Sequence, residues 1–177
     1  MRRLVVVGNG KAADAFLRHI QHYKHDFSIR VFGGGVPHRR PAWYRDHGID
    51  VRQEVLITGI DRHARLAKGS DGSRTTFDRL ILATGGSGLI PPGLEARRGL
   101  LVNRSLETSD GHVYAIGDCA ENRDAAWVTS LDQQARLLAQ RLVGESSGVE
   151  VQPPIRKLRL LTSQGVTSSG RARALSA

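Results

Sequence analysis

The residues most able to do chemistry in this sequence are glycines that bring backbone close to a ligand, and one carboxylate placed after a buried strand. Gly8-Asn9-Gly10-Lys11-Ala12-Ala13 matches the spacing G-x-G-x-x-G/A. Each small residue has a physical task there: Gly8 permits the tight turn, Gly10 lets the chain approach a pyrophosphate, and Ala13 allows a helix to pack closely on a strand. The helix that follows adds partial positive charge at its N-terminus, so the pattern predicts dinucleotide binding. An acid that grips the ribose hydroxyls is expected after the second strand, but Gly33-Gly34-Gly35 stands there instead. Either backbone groups or water hold the ribose, or affinity is eroded. Two further segments, Phe77-Asp78-Arg79-Leu80-Ile81-Leu82-Ala83-Thr84-Gly85 and the run from Thr108 to Ala120 containing Gly117-Asp118, end hydrophobic strands in polar turns.

These groups need a scaffold that delivers them to one edge, and the hydrophobic pattern supplies one. Leu4 to Val7 is a continuous aliphatic run, as expected of a parallel strand covered on both faces. Lys11 to Tyr23 carries Ala12, Ala13, Phe16, Leu17 and Ile20 on one helical stripe, and Ser28 to Phe32 is a second strand. Pro37 to Pro41 reads as loop. Strands are expected at Val51 to Val55, Ile57 to Asp61, Arg65 to Lys68 and Arg74 to Phe77, the last two joined across Gly69-Ser70-Asp71-Gly72 as a small antiparallel excursion. Leu80 to Ala83 returns to a buried strand, Gly85 to Gly93 is loop, and Leu100 to Val102 and Val113 to Ile116 are short strands. Helical spacing recurs from Ala125 to Val143, with Gly144 placed to end the helix. The expectation is a doubly wound α/β, Rossmann-like domain with a small antiparallel β insertion over residues 1–144, followed by a linker and loose tail over 145–177.

Composition narrows the chemistry. The single cysteine, Cys119, rules out paired-cysteine redox chemistry within the chain and cannot hold an iron-sulfur cluster, so electron transfer would need a bound cofactor. Beside a buried strand it reads as a packed thiol. His19, His22 and His25 recur every third residue but straddle a helix end without an acidic or cysteine companion, so no metal site is assigned. The net charge of +9 lies in short clusters such as Arg2-Arg3, Arg39-Arg40 and Arg97-Arg98. Solvated surface or a docking face for an acidic electron-transfer protein accounts for them; nucleic acid is not expected, since no recognised module or aromatic platform accompanies them. No apolar run is long enough to cross a bilayer and the opening residues lack a signal peptide, which predicts a cytoplasmic protein.

Taken in order, the glycine turn, Ala83-Thr84-Gly85 and Gly117-Asp118 resemble the FAD-dependent pyridine nucleotide oxidoreductases. Trp43-Tyr44-Arg45-Asp46-His47-Gly48-Ile49 and Arg98-Gly99-Leu100-Leu101-Val102 bring the likeness nearest to the flavin region of NAD(P)H-dependent nitrite reductases and rubredoxin reductases. The resemblance implies FAD as cofactor, with Gly8, Asn9, Gly10, Ala13, Thr84, Gly85, Gly117 and Asp118 around it, and Asp118 on the ribityl chain. It implies NAD(P)H as electron donor only for relatives, because their NAD(P)H-binding domain is absent near residues 91–95, where Pro91-Pro92-Gly93-Leu94-Glu95 leads straight to the next strand. No catalytic residue is assigned. The loop that approaches the flavin in such proteins is nearly missing between Pro37-His38 and Trp43-Tyr44, and Asp132 stands where an aromatic residue is expected. The alternative is a non-catalytic Rossmann remnant, or a binding module that uses its basic surface.

Overall fold

The computed structural model describes residues 1–86, 90–123 and 130–147. Its elements are β1 (Arg2–Val7), α1 (Lys11–Ile20), β2 (Phe27–Gly33), α2 (Pro41–Asp46), β3 (Ile49–Gln53), β4 (Ile57–Asp61), β5 (Leu66–Gly69), β6 (Arg74–Thr76), β7 (Arg79–Leu82), β8 (Leu100–Val102), β9 (Val113–Ala115), a 3-10 turn (Gly117–Cys119), β10 (Ala120–Asn122) and α3 (Leu131–Ser147). Five strands form one parallel sheet in the order β3-β2-β1-β7-β9. The chain winds outward from β1 to β3, then crosses back over β1 to β7 and β9. That reversal makes a topological switch point between β1 and β7, the place where open α/β sheets bind ligands.

The aliphatic runs form the centre of this sheet because no polar side chain interrupts them: Leu4, Val6, Leu80, Ile81 and Leu82 are fully buried. α1 turns Phe16, Leu17 and Ile20 into the same core and packs on α3, whose Ala135, Leu138 and Leu142 are fully buried. Burying each large aliphatic or aromatic side chain contributes about 1.5–3 kcal/mol, so the α1–α3 layer is a principal source of stability. The antiparallel meander β4-β5-β6 is the expected small insertion, and its Ala67, with Phe77 just beyond it, is sealed into the common core. Asp14, a buried carboxylate of α1, is bracketed by the guanidiniums of Arg18 and Arg39, which ties the helix to the chain after β2.

Several elements differ from the sequence expectation. α1 stops at Ile20, because the amides of His22 and Tyr23 turn back to His19 and Ile20. Pro41 begins α2 rather than ending a loop; its fixed φ and missing N–H suit the first helical position. Gly144 does not end α3, which continues to Ser147 with Gly144 buried inside it. The part of the expected helix from 125 to 129 lies outside the described residues, as do the chain from 148 onward and residues 87–89 of the glycine-rich loop. β10 was not anticipated, and it pairs in parallel with β8 as a separate ribbon; three residues are too few to display a period. Among the described residues, no helix is long and apolar enough to cross a membrane.

Candidate functional site

A cleft of about 930 Å³ opens at the carboxyl ends of β1, β2 and β7, over the switch point. Gly8, which adopts φ +113°, closes β1 by donating its N–H to Phe32 O at 2.7 Å. A Cβ at this position would lie 2.2 Å from Ala83 O, so the turn is pressed against the end of β7 and only glycine fits. Gly10 is different: it has extended backbone, and a Cβ there would meet nothing within 4 Å. Packing therefore places no demand for glycine at this position. No side chain caps α1 at Gly10, which leaves the N–H groups of the first helical turn available to a ligand or water. Lys11 adds an exposed ammonium at the same spot, and sequence reasoning gave it no role.

The other walls come from distant parts of the chain. Thr84 and Gly85 follow β7; Thr84 Oγ1 is buried with no hydrogen-bond partner, and Gly85 takes φ +75° beside open space. Gly117, at φ +79°, brings the 3-10 turn so close to α1 that a Cβ would be 2.9 Å from that of Ala12. Its N–H donates to Gln134 Oε1 of α3 at 3.0 Å, a contact between residues too far apart in sequence to be foreseen. Asp118 is exposed on the cleft wall and makes no hydrogen bond or ion pair within the described residues. Cys119 turns away: its buried thiol donates to Leu82 O at 3.2 Å and Ile116 O at 3.3 Å, which makes it a packed group.

The structure thus brings Gly8, Asn9, Gly10, Thr84, Gly85, Gly117 and Asp118 to one cleft, while Ala13 is fully buried beneath it and does not line it. Phe32, Val55, Leu56 and Leu131 complete the apolar part of the wall, and no spacing in the sequence marked them. Uncapped backbone donors, Lys11 and an orphaned hydroxyl suit a phosphate-bearing ligand. The unpaired carboxylate of Asp118, which only accepts hydrogen bonds, suits a ligand rich in hydroxyls. The three histidines do not converge. His19 has an acidic companion after all, with Nε2 lying 2.9 Å from Asp132 Oδ1 of α3, whereas His25 Nδ1 accepts from the backbone N–H of Phe27. Among the described residues, no group of three His, Cys, Asp or Glu side chains could hold a metal ion.

The family profile of the pyridine nucleotide-disulphide oxidoreductases matches residues 42–135, more than half of the chain. The chain belongs to this family. Among pyridine nucleotide-disulphide oxidoreductases and their kin, rubredoxin-NAD(+) reductase of Acinetobacter baylyi is 31% identical over 167 residues, covering 84% of this chain and 42% of that protein. Nitrite reductase [NAD(P)H] of Bacillus subtilis is 34% identical over 103 residues, or 52% of this chain and 12% of that protein. This member of the family therefore spans less than half the length of the curated relatives it matches. The fold agrees with putidaredoxin reductase in its covalent complex with putidaredoxin at a TM-score of 0.72, with 16% identity, 81% of this chain and 75% of that chain covered.

Proposed function

We propose that the chain is the flavin-binding module of an electron-transfer oxidoreductase and that it holds FAD along the switch-point cleft. The observation that carries this reading is the convergence of the glycine turn, Thr84-Gly85 and Gly117-Asp118 on one cleft whose ligand side is left open at Gly10. In this arrangement the pyrophosphate sits against the first turn of α1 and Lys11, Thr84 Oγ1 gains the partner it lacks, and Asp118 accepts a ribityl hydroxyl. Bound FAD supplies hydride acceptance and stepwise electron release. The protein's own residues orient it and, with Val55, Leu56 and Leu131, shield one side from water.

In this reading the module includes α3 to Ser147, past the boundary expected at residue 144. Pro91 to Glu95 turn directly toward β8, with Leu94 buried and its N–H bonded to Pro91 O at 3.2 Å, so the reading includes no NAD(P)H-binding domain at that point. The partner would be an acidic electron-transfer protein, met by exposed basic residues such as Arg40 and Arg97. A second reading, a remnant that no longer holds cofactor, is favoured by the absence of an acid at Gly33 to Gly35 and by the near-absence of the loop between Pro37-His38 and Trp43-Tyr44. The two separate on FAD titration followed by flavin fluorescence. Gly10→Val should abolish binding by filling the approach to the pyrophosphate, and Asp118→Ala should weaken it by about 1.5–3 kcal/mol. Equal affinity in the three proteins sinks the assignment, and a wild-type protein that binds no FAD selects the remnant.

A further inference from the structure

At Gly33 the lack of a side chain and the identity of Asn9 are two sides of one arrangement, whereas a Cβ at Gly35 would lie 3.8 Å from Asn9 Oδ1. Asn9, the variable residue inside the glycine turn, reaches across the cleft floor to the end of β2, where Nδ2 donates to Gly35 O at 2.5 Å. A Cβ at Gly33 would lie 2.3 Å from Asn9 Cγ, so any side chain at Gly33 is incompatible with Asn9 as placed. The carbonyl of Gly35 can only accept, which fixes the amide with its N–H₂ toward the loop. Oδ1 is thereby left as an acceptor on the cleft wall, without a partner among the described residues.

We propose that Asn9 Oδ1 reads the adenosine ribose of the bound dinucleotide, doing with a neutral amide what a carboxylate after the second strand does elsewhere. The inference rests on the reading that a dinucleotide lies in the cleft, and it locates ribose recognition on the glycine turn itself. A single neutral acceptor is weaker than a carboxylate taking two hydroxyls. Discrimination for the ribose hydroxyls should accordingly be modest, about three- to tenfold.

The test is calorimetric titration of the full chain, freed of bound nucleotide, with ADP and with 2′,3′-dideoxy-ADP. Wild type should bind ADP about three- to tenfold more tightly than the dideoxy compound. Asn9→Ala should bring the two to equal affinity by weakening ADP alone. Equal affinities in wild type, a result that needs no variant to fold, overturn the inference, as does an Asn9→Ala protein that keeps the wild-type ratio. Those outcomes leave nucleotide binding standing, whereas a wild-type chain that binds neither compound overturns the dinucleotide reading and this inference together.

Discussion

The two ends of the parallel sheet are held by different means. At the amino ends of the strands, side chains do the holding. Asp78, just before β7, takes the backbone N–H of Arg3 at 2.7 Å and its guanidinium at 3.1 Å, and Arg2 pairs with Asp26 at 3.2 Å ahead of β2. Nearby, the ring of His112 lies between the guanidiniums of Arg65 and Arg79 at 2.8 and 2.9 Å. At the carboxyl ends, backbone presses on the Ala83 carbonyl at Gly8 and on the Ala12 methyl at Gly117, and the charged groups on the cleft wall, Lys11 and Asp118, have no ion-pair partner among the described residues. The difference teaches where a fold can keep its polar groups satisfied by itself and where it must leave them for something else. Closure by glycine keeps the chain together without filling the cleft.

Substitutions at the two ends should therefore fail in different ways. The largest effect is expected for Gly8→Ala, which combines a strained φ with a Cβ overlapping the Ala83 carbonyl. Urea denaturation should show a loss of about 4 kcal/mol or outright failure to fold. Gly10→Ala, two residues away, should change stability by less than about 1 kcal/mol because nothing surrounds its Cβ. If both variants were equally stable, the distinction between packing and ligand-facing glycines would collapse. Gly117→Ala is intermediate, since left-handed backbone costs about 1–2 kcal/mol and the Ala12 methyl it meets moves only with α1; a loss of about 3 kcal/mol is expected.

The smallest effect belongs to the ion pairs at the amino end. The Arg3 side chain, then its backbone N–H, holds the Asp78 carboxyl down to about 2. A depressed carboxylate stabilises the fold above its unfolded value near 3.9 and loses that contribution as pH falls through the folded value. Both partners meet solvent, so the pair contributes about 1 kcal/mol rather than the full linkage value. Asp78→Asn should lower stability by that amount at neutral pH, and the gap from wild type should close between about pH 4 and pH 2. A gap independent of pH would mean that packing, not charge, is what Asp78 supplies.

Much of the framework could be read from residue order because the information is local. An aliphatic run, a helical stripe and a glycine turn lie in sequence as they lie in space, and β4, with bounds Ile57–Asp61, coincides with its expectation. The cleft residues that stand at strand ends were legible for the same reason. What escaped depends on pairs distant along the chain: Gln134 meeting Gly117, Asn9 meeting Gly35, His19 meeting Asp132, and β10 adding to β8. No period or motif encodes such meetings, and α2 was missed because six residues starting at proline look more like a turn than a helix.

The strand order also sets a schedule for the newborn chain. Of the five sheet strands β1 is made first yet sits at the centre, and its second neighbour, β7, does not exist until the ribosome has passed Leu82. Until then one edge of Leu4–Val7, among the most apolar stretches in the molecule, is unpaired and open to adhesion with other nascent chains. The β4-β5-β6 meander, synthesised in that interval from short-range contacts, completes itself while β1 waits. The time taken to synthesise residues 57–82 therefore sets how long that edge waits for its neighbour.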